Sequence, residues 1–300
     1  MKRHLVKILL FLLIIALIDV VVGLVCSRLT VMARGGDTAR GEYICNGTSE
    51  DILVMGSSRA IHHYNPAVLD SLTGMSCYNC GQDGNGAILN YGRCHIILQR
   101  YRPRVIIYDV MPEYDLLAGE DNRKYLGWLR PYYDCEGIAE IFESVDPNEK
   151  HKMMSQMYRY NSRFIQMLTD CIHPMQDEGI NGFRPLDEEM DTMRVSDSQS
   201  DIKVEFDPLK LSYLGKLLDE ARGIKVIMVV SPCWNGMDTA LLGPVKEMCR
   251  ERNLPFLDYS NDPKYLHNNA LFADGAHLNA RGADEFTRDV AERINQMTEN

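Results

Sequence analysis

The chain has 300 residues, 45% of them hydrophobic and 25% charged, with a formal net charge of −10. This is an ordinary globular composition, which excludes a disordered or repetitive chain. The acidic balance, with no basic cluster beyond the first few residues, argues against nucleic acid as a partner.

The first element is an apolar run from Ile8 to Val25, broken only by Asp19 and preceded by Lys2, Arg3, His4 and Lys7. At about 1.5 Å per residue it spans roughly 27 Å, the thickness of a bilayer's hydrocarbon core. The basic flank places the N-terminus in the cytoplasm and the rest outside, as a single-pass protein with an extracytoplasmic domain. A cleaved signal peptide is the rival reading, but the run is long for one and no clean cleavage site follows. A lipoprotein would need a small residue where Val25 precedes Cys26. Asp19 reads either as a contact for a membrane partner or as a lone carboxylate tolerated near the outer half of the helix. Residues 1–27 are thus an anchor. Residues 28–49, with Gly35-Gly36, Gly41 and little periodicity, read as a stalk.

From residue 50 onward, short apolar runs alternate with helical patterns. Ile52–Met55, Cys77–Cys80, Val105–Tyr108, Val226–Val230 and Pro255–Leu257 each stop at turn-type residues, as buried parallel strands do. Residues 86–100 and 241–252 predict crossover helices, and Phe286, Val290 and Ile294 mark one face of a C-terminal helix. The fold class is α/β, a three-layer doubly wound and mostly parallel sheet, with ligands at the carboxyl ends of the strands. An insertion at about 113–222 interrupts the pattern, with at least one helix around 150–171 and an acidic, serine-rich loop over 187–207. It is expected to cover the catalytic face. Of nine cysteines, Cys77 and Cys80 form a lone C-x-x-C in a strand-like segment, which reads as buried thiols rather than metal ligands.

Two local features carry chemistry. Gly56-Ser57-Ser58-Arg59 closes the first strand, where a serine is presented on a tight strand-to-helix turn. Asp274-Gly-Ala-His277 precedes the last helix, a spacing that lets a carboxylate orient one imidazole nitrogen while the other accepts a proton. With these residues together the chain resembles the SGNH/GDSL hydrolase superfamily over roughly residues 50–110 and 224–297. The resemblance makes Ser58 the nucleophile and Asp274 and His277 its partners. Asn79-Cys-Gly-Gln-Asp-Gly84 is similar to the family's second block, so the N–H groups of Ser58 and Gly84 are the implied oxyanion hole. The third block departs from the pattern: Tyr108-Asp-Val-Met-Pro-Glu113 lacks the family's Asn. The G-S-S variant, the anchor and that missing Asn are similar to exported SGNH-like proteins of the DltD and alginate-acetylation type.

The resemblance implies a serine esterase or O-acyltransferase acting on acyl esters of cell-envelope glycans, with no metal or cofactor. The alternative is a non-catalytic accessory protein partnering a membrane acyltransferase or glycan exporter. Arg59 either holds an anionic substrate group or pairs with a carboxylate. Trp234 either lines the site or packs the core. His62 and His63 read as surface or packing residues.

Overall fold

The structure is a computed structural model that describes residues 2–161, 163–173, 181–190 and 205–298. In chain order the helices are α1 (Lys2–Met32), α2 (Gly36–Glu42), α3 (Ser58–His63), α4 (Pro66–Thr73), α5 (Ala87–Leu98), α6 (Pro112–Asp115) and α7 (Ile138–Val145). There follow α8 (Glu149–Lys152), α9 (Gln156–Tyr160), α10 (Phe164–Ile172), α11 (Pro208–Glu220), α12 (Gly243–Arg252) and α13 (Ala280–Thr298). The strands are β1 (Ile52–Gly56), β2 (Cys77–Asn79), β3 (Val105–Asp109), β4 (Lys225–Val230) and β5 (Phe256–Asp258). These elements form two compact units, Met1–Gly47 with Asn122–Asp177, and Thr48–Asp121 with Glu178–Asn300.

The second unit is the α/β domain. Its five strands pair in parallel in the order β2-β1-β3-β4-β5, so the order reverses between β1 and β3 and opens a crevice at their carboxyl ends. Strand side chains alternate between faces. Ile52, Val54, Val105, Ile107, Ile227 and Val229 share one face and pack in a core with Leu69 of α4 and Phe286, Val290 and Ile294 of α13. The alternate residues Leu53, Met55, Ile106, Tyr108, Val226 and Met228 are buried as well. On that side the Tyr108 hydroxyl meets Asn90 Nδ2 of α5 at 3.3 Å, and α11 packs along α5. Both faces of the sheet are therefore covered, which is why its strands read as continuous apolar runs.

The expected insertion divides. Residues 208–220 form α11, a covering helix of the sheet, started by Asp207, whose side chain accepts from Leu209 and Lys210 N–H, and by Pro208 at its first position. Residues 181–190 also belong to the domain, with Met190 buried in its core. The rest of the acidic 187–207 stretch, residues 191–204, lies outside the described residues.

The first unit joins the N-terminal helix to the middle of the chain. The helix continues to Met32, and the presumed stalk folds as α2 followed by a π-helical turn at Tyr43–Gly47, with Thr38, Arg40, Ile44 and Cys45 buried. Asp19 is not isolated but paired within this unit. Its carboxylate accepts from Ser155 Oγ (2.7 Å), Gln156 N (2.8 Å) and Met157 N (2.9 Å), capping the start of α9 as an N-cap side chain does. One turn on, Gly23 leaves room for Gln156: a Cβ there would lie 2.6 Å from its Cγ. Cys26 packs with Tyr160 and Met167, and the Thr30 hydroxyl meets Met167 Sδ at 3.4 Å. All nine cysteines are free thiols. Burial holds the Cys77 thiol well above its ordinary range, with the Asp70 carboxylate adding to the shift, so it is an inert packing group.

Candidate active site

The β1-to-α3 turn is shaped by glycine. Gly56 has φ 144°, and a Cβ there would lie 2.6 Å from the Asp109 carbonyl oxygen and 2.9 Å from Ala60 Cβ. Only a residue without a side chain lets the end of β1 pass so close to β3 and turn at once into α3. Ser57 is buried and its hydroxyl meets Met111 Sδ at 3.1 Å, while Ser58, the first residue of α3, is partly exposed.

Three residues then meet across more than 200 positions of sequence. Ser58 Oγ lies 2.9 Å from His277 Nε2. His277 Nδ1 lies 2.9 and 3.0 Å from the two carboxylate oxygens of Asp274. A carboxylate accepts only, so Nδ1 carries the proton and Nε2 is left to accept from the serine hydroxyl. Asp274 Oδ1 also accepts from the N–H groups of Ala276 (2.8 Å) and His277 (2.9 Å), which fixes the loop around the pair. Partial burial works to raise the Asp274 pKa, but these hydrogen bonds and the His277 charge outweigh it and hold the carboxyl below its usual range.

The histidine loop is pinned to the serine helix by a residue with no assigned role in the motif reading. His63, fully buried at the end of α3, accepts the Leu278 N–H at its Nε2 (3.0 Å). Burial first, then the charges of His277, Arg59 and His62, hold its pKa well below 6.5. Neutral His63 thus ties residue 278 to the helix that begins with Ser58. Between its depressed value and about 6.5 the unfolded chain binds a proton that the folded chain does not, so stability falls as pH drops through that window, by up to about 1.4 kcal/mol per unit. Urea titrations at pH 6.5 and 5 should show a steeper acid-side loss for the wild type than for His63→Gln. Parallel slopes would remove His63 as the cause.

The segment 181–190 runs along the same loops. Arg184 O faces His62 Nδ1 at 2.6 Å, Leu186 O accepts from Ala280 N at 2.8 Å, and Met190 N donates to Phe272 O at 2.8 Å. His62 also faces Asp83, with Nε2 to Oδ1 at 3.2 Å. No periodicity marked this segment, because its bonds are made by irregular backbone to distant loops.

Beneath the serine lies a buried polar network. Arg59 is 1% exposed; its Nη2 donates to Val110 O (2.7 Å), its Nη1 reaches Cys233 Sγ (2.9 Å), and Nε stands 3.7 Å from Asp109 Oδ1. Asp109 Oδ2 accepts from Tyr64 (2.6 Å) and from the Ser231 hydroxyl. Burial pushes the Asp109 pKa up, opposed by the Arg59 charge and these hydroxyls. The structure therefore turns Arg59 inward, onto the carboxylate partner, and leaves it no surface to offer a substrate. Trp234 is partly buried against the core; its N–H donates to Gly275 O (3.2 Å) in the triad loop and its Nε1 to Asn269 Oδ1 (2.7 Å). It packs the core and borders the triad loop at once.

Gly84 has φ 63°, with nothing within 4 Å of a Cβ position, so backbone conformation rather than crowding selects glycine there. Its loop is tied to β1 by Gln82 N donating to Gly56 O (3.1 Å), and Gly81 packs so closely on Ala60 and Ile61 of α3 that a side chain would collide. Just after β3 stands Met111. Its N–H donates to Asp115 Oδ2 at 2.7 Å, and Asp115 Oδ1 accepts from Tyr108 at 2.7 Å. Burial, against those hydrogen bonds, raises Asp115 to about 7.

No protein-family model and no curated protein matches the chain. Solved structures do, among them a protein assigned to the G-D-S-L lipolytic family from Desulfitobacterium hafniense. The two are 11% identical with a TM-score of 0.36, over 81% of this chain and 99% of that one.

Proposed function

We propose that this chain is a membrane-anchored, extracytoplasmic serine esterase or O-acyltransferase acting on acyl esters of cell-envelope glycans. The observation that carries the chemistry is the unbroken relay from Ser58 Oγ to His277 Nε2 and from His277 Nδ1 to Asp274. In the first half-reaction His277 takes the Ser58 proton as Oγ attacks the ester carbonyl. The oxyanion of the tetrahedral intermediate is held by the N–H groups of Ser58 and Gly84. Collapse breaks the ester bond, and His277 returns its proton to the leaving alkoxide. The acyl-serine is then attacked by water or by a sugar hydroxyl activated by the same histidine, so the acceptor alone separates hydrolase from transferase.

The anchor rests on α1, long and apolar enough to cross a membrane, with the basic N-terminal flank on the cytoplasmic side. A second reading, an accessory protein beside a membrane acyltransferase or glycan exporter, is favoured by one feature. Where the resembled family has a side-chain amide donor, the segment Tyr108-Asp-Val-Met-Pro-Glu113 holds no Asn. Losing one such donor costs about 10²–10³ in rate.

The two readings separate on a covalent test. Full-length protein treated with a fluorophosphonate should gain the mass of one adduct, lost in Ser58→Ala. With p-nitrophenyl acetate as donor, acetate should then appear in water or on an added glycan acceptor. A folded wild type that never labels would leave the accessory reading standing.

A further inference from the structure

Outside α1, the large apolar side chains that the fold leaves exposed are gathered in one stretch. Met154 (76% exposed), Met157, Phe164, Ile165 (72%) and Ile172 (60%) all lie on or beside α9 and α10, and only Tyr43 and Leu72 lie elsewhere among the described residues. These two helices do not stand apart from α1. They run along it, from Asp19 at the start of α9, past Gly23 and Cys26, to Cys171 Sγ at Leu29 O (3.2 Å) and Asp170 O at Arg34 N (3.3 Å). Tyr160 of α9 and Met167 of α10 are buried with Cys26 of α1, while Met157, Phe164, Ile165 and Ile172 of the same two helices are exposed.

Depth follows from the register. Asp19 lies six residues inside Val25, the outer end of the apolar run, which is about 9 Å along a helix. The three hydrogen bonds to Asp19 hold Ser155, Gln156 and Met157 at that level. A bilayer spanned by α1 must therefore meet Met154 and Met157 below its headgroups, and α10 within its interface. Amphipathic helices that lie in an interface bury their apolar face to a depth of about 5–10 Å. Arg163, at the start of α10, lies over the Trp128 ring, an aromatic and cationic pair of the kind that sits at headgroup level.

We infer that α9 and α10 form an interfacial membrane collar beside α1, with Met154, Met157 and Ile165 embedded at the acyl-chain boundary of the leaflet on the C-terminal side of the span, and Ile172 at headgroup level. The same contact explains the carboxylate in the apolar run. With the collar docked, Asp19 has three donors inside the membrane, so its carboxylate is not left unsatisfied there.

This inference rests on α1 being a retained span, and the test separates the two. Full-length protein bearing the fluorescent amino acid dansylalanine at one site is reconstituted in phosphatidylcholine vesicles containing dibrominated acyl chains. Leu13→dansylalanine, mid-span, reports the anchor. Met154→dansylalanine and Ile165→dansylalanine report the collar, and Leu72→dansylalanine, in the other unit, is the solvent control. The expectation is about twofold or greater loss of emission at 13, 154 and 165, with none at 72. Quenching at 13 without quenching at 154 and 165 overturns the collar, keeps the anchor and leaves that face to a protein partner. No quenching at 13 overturns the anchor and the collar with it.

Discussion

Ser58→Ala and His277→Ala should each lower kcat for p-nitrophenyl acetate by about 10⁶, and the double variant by no more than either alone, because residues of a relay act as one unit. Asp274→Asn tests the electrostatic part separately. An amide nitrogen at the Oδ2 position donates rather than accepts, leaving Nδ1 only the weaker carbonyl acceptor, which shifts the proton toward Nε2 and weakens the acceptor for Ser58 Oγ. In a fully enclosed triad that change costs about 10⁴. Here the Asp274 side chain is 57% exposed, and water competes for both partners, so the expected loss lies nearer 10²–10³. The backbone N–H bonds from Ala276 and His277 can still be accepted by the remaining carbonyl oxygen, so the melting temperature should hardly move. Undiminished turnover in Ser58→Ala would sink the mechanism. A loss multiplied, rather than shared, in the double variant would show that serine and histidine work independently.

The largest effect on stability is expected at the buried pair under the site. Asp109→Leu removes the carboxylate that faces Arg59 Nε and accepts from Tyr64 and Ser231. The guanidinium keeps Val110 O and Cys233 Sγ but loses its nearest buried counter-charge, at a cost of about 3–5 kcal/mol. Arg59→Met alone leaves the reverse defect, which Asp109 can relieve by taking up a proton, since burial already pushes its pKa up, so the loss should be smaller. The double variant Arg59→Met/Asp109→Leu replaces both charges with apolar groups of similar volume and should regain much of the stability lost in Asp109→Leu. Urea midpoints of the four proteins decide this. Strictly additive losses would mean that the two side chains do not sense each other. Because Arg59 follows Ser58 directly, the single Asp109 variant should also lose turnover through displacement of α3, and the double variant should recover part of it.

These contacts mark where local sequence stops being informative. The five strands were legible because four of them are buried on both faces and all five read as apolar runs closed by turn residues, although β5 at the edge is only partly buried, and the observed ends differ by a residue or so. The C-terminal helix was legible from the spacing of Phe286, Val290 and Ile294. Helix α11 was hidden in the presumed insertion, although Asp207-Pro208 is a local start signal; its place against the sheet depends on α5, far away in sequence. The direction of Arg59 could not be read either. A long cation after a nucleophile serves a substrate or a carboxylate equally well until β3 brings Asp109 beside it.

What the sequence by itself determined is the list of parts: an apolar N-terminal run, a parallel α/β sheet, and a serine and a D-x-x-H pair at opposite ends of the domain. Tertiary structure alone decided how the parts meet. It brought Ser58 Oγ within 2.9 Å of His277, made His63 the clamp between their loops, and gave Asp19 three donors from more than 130 residues away. The physical reason is the range of the forces involved. Periodic burial acts between neighbours along the chain and leaves a pattern in it. A hydrogen bond between loops depends on where the whole core sets their backbones, and no spacing in the sequence records that.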